Sequence, residues 1–232
     1  MERIRSIILM AVMALAFQPS HAQQAFSDKV QYGRYAKANA ELKESPRAVF
    51  MGNSITEGWV TGSPGFWKEH PDFAGRGISG QTSLEMLCRF RQDVIELHPK
   101  VVCILAGTND IAQNDGYIAH ENILDNIISM VELARANDIK VAVCSVLPCD
   151  KFSWRPEIQP AGKVVQLNNM LKNYVDTKKD KKVVYVDYYQ ALHNGNGGMK
   201  AEYTTDHCHL TPAGYKVIES IIVPVIEKLA GQ

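Results

Sequence analysis

The chain has 232 residues, and its 25 Lys and Arg balance 25 Asp and Glu for a formal net charge of zero. Hydrophobic residues make up 46% of it, which excludes a disordered chain. A phosphate-binding surface needs a surplus of clustered Lys and Arg, so nucleic acid is not expected as a partner.

The first 22 residues read as an export signal rather than as part of the fold. Arg3 and Arg5 precede an uninterrupted apolar run over 7–17, which Gln18 and Pro19 break. Ser20, His21 and Ala22 follow, with Ala22 as the small residue at a cleavage point. Eleven apolar residues span about 16 Å as a helix, while a bilayer core is about 30 Å thick, so no stable membrane anchor is expected. No Cys occurs before Cys88, so a lipid-modified Cys at that cleavage point is excluded. Without 1–22, residues 23–232 carry 23 basic and 24 acidic groups and are expected to form a single domain. A periplasmic or secreted location follows.

Beyond the leader, 27–44 reads as a helix with a mixed polar face. Residues 48–51 are a short apolar run between Pro46 and Gly52, which suits a buried strand. A second strand is expected over 73–78. Helical spacing of Leu84, Leu87, Val94 and Leu97 predicts a helix over 84–97 that stops before Pro99. Strand three covers 101–106, a long amphipathic helix 119–136, strand four 140–147, a helix 162–175 and strand five 183–187. Thr211 is a good N-cap with Pro212 at the first helical position, and the last helix runs to about Leu229. Strands alternating with helices imply βαβ units and a parallel sheet covered on both faces. The irregular stretch 148–161 holds Pro148, Pro156 and Pro160 and suits a functional loop or a rigid connection equally.

In an open parallel sheet, ligands bind beyond the carboxyl ends of the strands. Gly52-Asn53-Ser54 follows the first strand, Gly77-Ile78-Ser79-Gly80 the second and Gly107-Thr108-Asn109-Asp110 the third. Asp206-His207-Cys208-His209 precedes the last helix. These segments supply the parts for acyl transfer through a serine. Ser54 needs a base for its proton, and His209 can serve. Asp206, three residues earlier, can fold back to hold the His209 ring in one tautomer. The oxyanion that forms needs fixed donors, which the N–H groups of Ser54 and Gly80 and the Asn109 amide can provide. No G-x-S-x-G and no G-x-x-x-x-G-K-[ST] occurs, which excludes the usual hydrolase elbow and a phosphate loop. The chemistry calls for no metal or cofactor.

These four ordered blocks resemble those of the SGNH hydrolases, also called the GDSL esterase/lipase family, and most of all its platelet-activating-factor acetylhydrolase-like branch. The similarity extends from about Ala48 to Leu229. It implies a flavodoxin-like three-layer αβα sandwich with a five-stranded sheet of order 2-1-3-4-5. It also implies Ser54 as nucleophile, His209 as base, Asp206 as its partner, and Ser54, Gly80 and Asn109 as the oxyanion hole. Asn53 departs from the family's usual Asp. In the last block His207 is a second imidazole beside His209, at the wrong spacing.

Five Cys are present, an odd number, and none forms C-x-x-C, which weakens a redox or zinc reading. Cys103 and Cys144 lie in apolar runs and read as packing residues. Cys149 and Cys208 fall in loops that should border the site and are the candidate pair for a disulfide. The predicted activity is a secreted serine esterase acting on a small-molecule or glycan ester. Carbohydrate O-acetyl esters are the first choice, with Trp59, Trp67 and Trp154 as candidate stacking surfaces for sugar rings. The alternatives are a lipid, aryl ester or thioester hydrolase, and a non-catalytic binding module on the same fold.

Overall fold

The computed structural model describes residues 29–231. The export signal expected over 1–22 lies outside the described residues. Five strands form one parallel sheet: β1 (Ala48–Gly52), β2 (Phe73–Gly77), β3 (Val101–Leu105), β4 (Lys140–Cys144) and β5 (Val183–Val186). Their order is β2-β1-β3-β4-β5, as expected. The helices are α1 (Ala36–Ala40), α2 (Ser54–Gly62), α3 (Pro64–Glu69), α4 (Ser83–Asp93), α5 (Thr108–Ile111), α6 (His120–Ala136), α7 (Ala161–Lys178), α8 (Tyr188–Leu192) and α9 (Pro212–Ala230).

Every residue of β1 and β3 is buried. Both faces of the sheet are therefore covered, which is what a nearly continuous apolar strand requires. Successive side chains point to opposite faces. Val49, Met51, Val102, Ile104, Val141 and Val143 join one core layer with Met86 and Phe90 of α4, Ile127 of α6 and Leu171 of α7. Ala48, Phe50, Val101, Cys103, Ala142 and Cys144 join the other, with Trp59 of α2 and Ile218 and Ile222 of α9.

β1 lies between β2 and β3, so the chain leaves its carboxyl end in a crevice where the strand order reverses. Gly52 pairs with Gly77 on one side and Leu105 on the other. Gly77 is required by close approach. A Cβ there would lie 2.3 Å from the Glu57 backbone nitrogen and 2.6 Å from the Asn53 carbonyl oxygen. The end of β2 thus packs directly on the first turn of α2.

Two expected elements differ. Within the predicted helix 27–44, the described residues are helical at Lys29 and Val30 and again in the short α1, with a turn over 31–35 between them where Gln31 adopts a φ of +55°. Carbonyls that a helix would use internally are taken by distant side chains. Gln81 Nε2 donates to the Val30 carbonyl at 2.8 Å, and Gln92 donates to that of Tyr32. Tyr35 donates its hydroxyl to the Gly77 carbonyl. Strand four was expected to reach 147 but ends at Cys144. Asn168 of α7 takes over both polar groups of Val146, accepting from its N–H at 2.8 Å and donating to its carbonyl at 2.9 Å.

Candidate active site

α2 starts directly after β1, and its cap is Asn53. The buried Asn53 side-chain oxygen accepts the Ile55 N–H at 3.0 Å. An amide oxygen accepts as a carboxylate does. Asn53 therefore keeps the cap that the family's usual Asp would make, and Ser54 stands at the helix N-terminus.

Ser54 Oγ lies 2.8 Å from His209 Nε2. His209 Nδ1 lies 2.6 Å from Asp206 Oδ2, and Asp206 Oδ1 accepts the backbone N–H groups of His209 at 2.7 Å and Cys208 at 3.0 Å. Burial alone would raise the Asp206 pKa, but those N–H groups and the His209 ring outweigh it and hold the carboxyl below its ordinary value. Asp206 is thus an acceptor, which places the ring proton on Nδ1 and leaves Nε2 to accept from Ser54. His207 turns away on a backbone φ of +72°, and its Nδ1 lies 3.0 Å from Asp150 Oδ1. Among the described residues no group of three His, Cys, Asp or Glu is placed to hold a metal ion.

Gly80 adopts a φ of +82°, a conformation that favours glycine. Among the described residues, neither its N–H nor that of Ser54 donates to a protein acceptor. Asn109, buried at the start of α5, donates one amide hydrogen to the Gln81 carbonyl at 2.9 Å. Its second amide hydrogen has no protein acceptor among the described residues. Asn114 donates to the Gly80 carbonyl at 3.1 Å. The loop after β2 and the segment after β3 are thereby tied together around Ser54.

Supporting residues lie outside the motif blocks, as Arg89 does, and within them, as Asp110 does. Arg89 is fully buried and donates to Gln81 Oε1 at 2.6 Å, Asp93 at 3.0 Å, the Gly52 carbonyl at 3.0 Å and the Arg76 carbonyl at 2.9 Å. Glu57 of α2 accepts the Ser79 N–H at 2.9 Å and the Ser79 hydroxyl, and pairs with Arg34 at 2.5 Å. Asp110 accepts both the N–H and the hydroxyl of Ser83, which fastens α5 to the start of α4. One local signal was available here. Thr82-x-x-Glu85 is a capping box, with Glu85 accepting the Thr82 N–H at 2.8 Å, and it marks where α4 begins.

All five Cys are thiols, so the structure does not form the disulfide suggested between Cys149 and Cys208. Cys103 and Cys144 are buried in the sheet, as expected for packing residues. Cys149 and Cys208 are also buried, with Cys149 Sγ donating to the Lys151 carbonyl at 3.2 Å, and the neighbouring Cys149 together with burial pushes the Cys208 thiol well up. Of the three Trp, two pack in or against the core. Trp59 is 2% exposed and stacks between Phe66 and Tyr215, and Trp67 sits against Phe50, Trp59 and Phe66. Trp154 is 39% exposed, and its ring centroid lies 6.2 Å from that of His209.

Residues 50–217 match the GDSL-like lipase/acylhydrolase family. The structure is similar to a GDSL-like lipase from Bacteroides thetaiotaomicron, 46% identical, with a TM-score of 0.81 over 86% of this chain and 98% of that one. An isoamyl acetate-hydrolyzing esterase 1 homolog from Bos taurus is 26% identical over 207 residues, covering 79% of this chain and 82% of that protein. The lipoprotein YqeF of Bacillus subtilis is 21% identical over 220 residues, 84% of this chain and 87% of that protein. With its sheet order, its four ordered blocks and these matches, the chain belongs to the GDSL-like lipase/acylhydrolase family and is an ester hydrolase.

Proposed function

We propose that this protein is an exported serine esterase that removes short acyl groups, acetyl above all, from carbohydrate O-acyl esters. The observation that carries this is the unbroken chain from Ser54 Oγ through His209 to Asp206, at 2.8 Å and 2.6 Å. Ser54 Oγ attacks the ester carbonyl carbon while His209 Nε2 takes the hydroxyl proton. Asp206 stabilises the imidazolium that forms. The carbonyl oxygen becomes an anion facing the Ser54 and Gly80 N–H groups and the Asn109 amide. His209 then passes its proton to the leaving alkoxide, and the alcohol departs from an acyl-Ser54. Water repeats the attack with His209 again as base, and the carboxylic acid is released.

Three observations support the finer points. The bovine relative is named for an acetate ester. Residues 1–22 have the layout of an export signal, and the Bacillus relative is a lipoprotein. The cleft beside Gly80 has charged and amide walls with one exposed indole, Trp154, which suits a polyhydroxylated ring better than a hydrocarbon chain.

Hydrolysis of one alcohol's esters from acetyl to decanoyl tests the acyl preference. Rates should fall steadily beyond butyryl, and a maximum at octanoyl or longer refutes it. Ser54→Ala should remove nearly all turnover, and a fluorophosphonate should label Ser54 in the unaltered protein. Substantial turnover in Ser54→Ala refutes the mechanism, and absent labelling favours a binding module. Mature exported protein should begin near Gln23.

A further inference from the structure

The alcohol half of the ester has a defined place. His209 must reach the leaving oxygen to protonate it, so the group attached to that oxygen lies beside the His209 ring. Trp154 stands there, at 6.2 Å between ring centroids. Its ring packs on the buried Phe152, centroids 4.9 Å apart, and its indole N–H donates to Asn114 Oδ1 at 3.0 Å. Asn114 donates in turn to the Gly80 carbonyl at 3.1 Å. The indole is therefore held in register with the oxyanion loop. A large apolar side chain fixed by its edge and left 39% exposed presents a ready face to a ligand. The adjoining cleft of about 530 Å³ is walled by Lys29, Glu85, Asn114, Asp115, Trp154 and Arg155. One aromatic face among donors and acceptors of both charges matches a sugar ring, whose C–H face is apolar and whose edge is all hydroxyl.

We propose that Trp154 is the platform on which the sugar ring bearing the scissile acetyl group stacks, and so sets specificity for the alcohol half. This rests on the acetylated-carbohydrate reading above. Asn114 is a positioning residue for that face.

The test uses acetylated xylo-oligosaccharides and ethyl acetate, which lacks a ring. The quantity read is the ratio of kcat/KM for the two esters. In Trp154→Ala that ratio should fall about tenfold, chiefly through KM for the oligosaccharide, equivalent to roughly 1.4 kcal/mol of stacking. Trp154→Phe should restore most of it. Trp154→Leu refills the space over Phe152 without a flat ring and carries the same expectation if the alanine variant does not fold. A wild-type preference for the sugar ester that survives in Trp154→Ala and Trp154→Leu overturns the platform and leaves the substrate reading intact. An equal loss on both esters also overturns it, because Trp154 would then only support His209. No wild-type preference for the sugar ester overturns the substrate reading, and the platform with it.

Discussion

Replacing Arg89 with Met should damage stability and catalysis together. The guanidinium is buried and makes four hydrogen bonds, to Gln81, Asp93 and the carbonyls of Gly52 and Arg76. It pins the ends of β1 and β2 to α4. Met has similar length and no donors. Its introduction leaves the Asp93 side chain, 1% exposed, without its counter-charge. It also removes the guanidinium as a donor to Gln81 Oε1 and to the carbonyls of Arg76 and Gly52, the last of which keeps the Ile78 N–H. Removing one partner of a buried ion pair costs about 3–5 kcal/mol. A domain of this size loses about 2–4 °C per kcal/mol, so the melting temperature should fall by roughly 6–20 °C. The Gln81 carbonyl also holds the Asn109 amide, so kcat on ethyl acetate should fall by about tenfold at a temperature where the variant is folded. Circular dichroism melting and initial rates read both effects. An Arg89→Met/Asp93→Leu double variant should regain part of the lost stability, because an apolar pair replaces an orphaned buried charge. A loss below about 3 °C, or a double variant no more stable than the single, refutes this account.

Asn109→Ala should lower kcat by about 10²–10³ with little change in KM, since the amide meets charge that develops only in the transition state; a loss confined to KM refutes that role. Glu57 supplies a pH test. Burial opposes its ionisation, but the Ser79 hydroxyl and Arg34 outweigh burial and hold its folded pKa below the ordinary value. Its stabilising contribution is then full above the unfolded carboxyl pKa and is lost as pH falls through the folded one. The melting-temperature gap between wild type and Glu57→Gln should narrow between about pH 7 and about pH 3, and a constant or widening gap counts against it. Cys149 and Cys208 lie side by side as buried thiols. In protein recovered from an oxidising compartment they should resist alkylation in denaturant until reductant is added, and alkylation of both without reductant excludes a disulfide.

The sequence by itself determined the parallel sheet and the residues that gather at its carboxyl edge, and the resemblance of its four blocks to the SGNH hydrolases implied the strand order. The cause is local. Strands buried on both faces must read as short apolar runs, as 48–51 and 101–106 do, and a crossover topology then sends Ser54, Gly80 and Asn109 to one edge. Asp206 and His209 are three residues apart, so their pairing is also nearly local. Ser54 and His209 are 155 positions apart, and only the folded chain brings them to 2.8 Å. Tertiary structure alone decided the rest. It broke the expected helix over 27–44, because Gln81, Gln92 and Tyr35 make bonds across the fold that local periodicity does not encode. It left Trp154 exposed while burying Trp59, because exposure depends on what packs above a residue and not on its neighbours in the chain. It made Arg89 the tie between sheet and site, because a buried charge becomes tolerable only where partners from several segments converge on it.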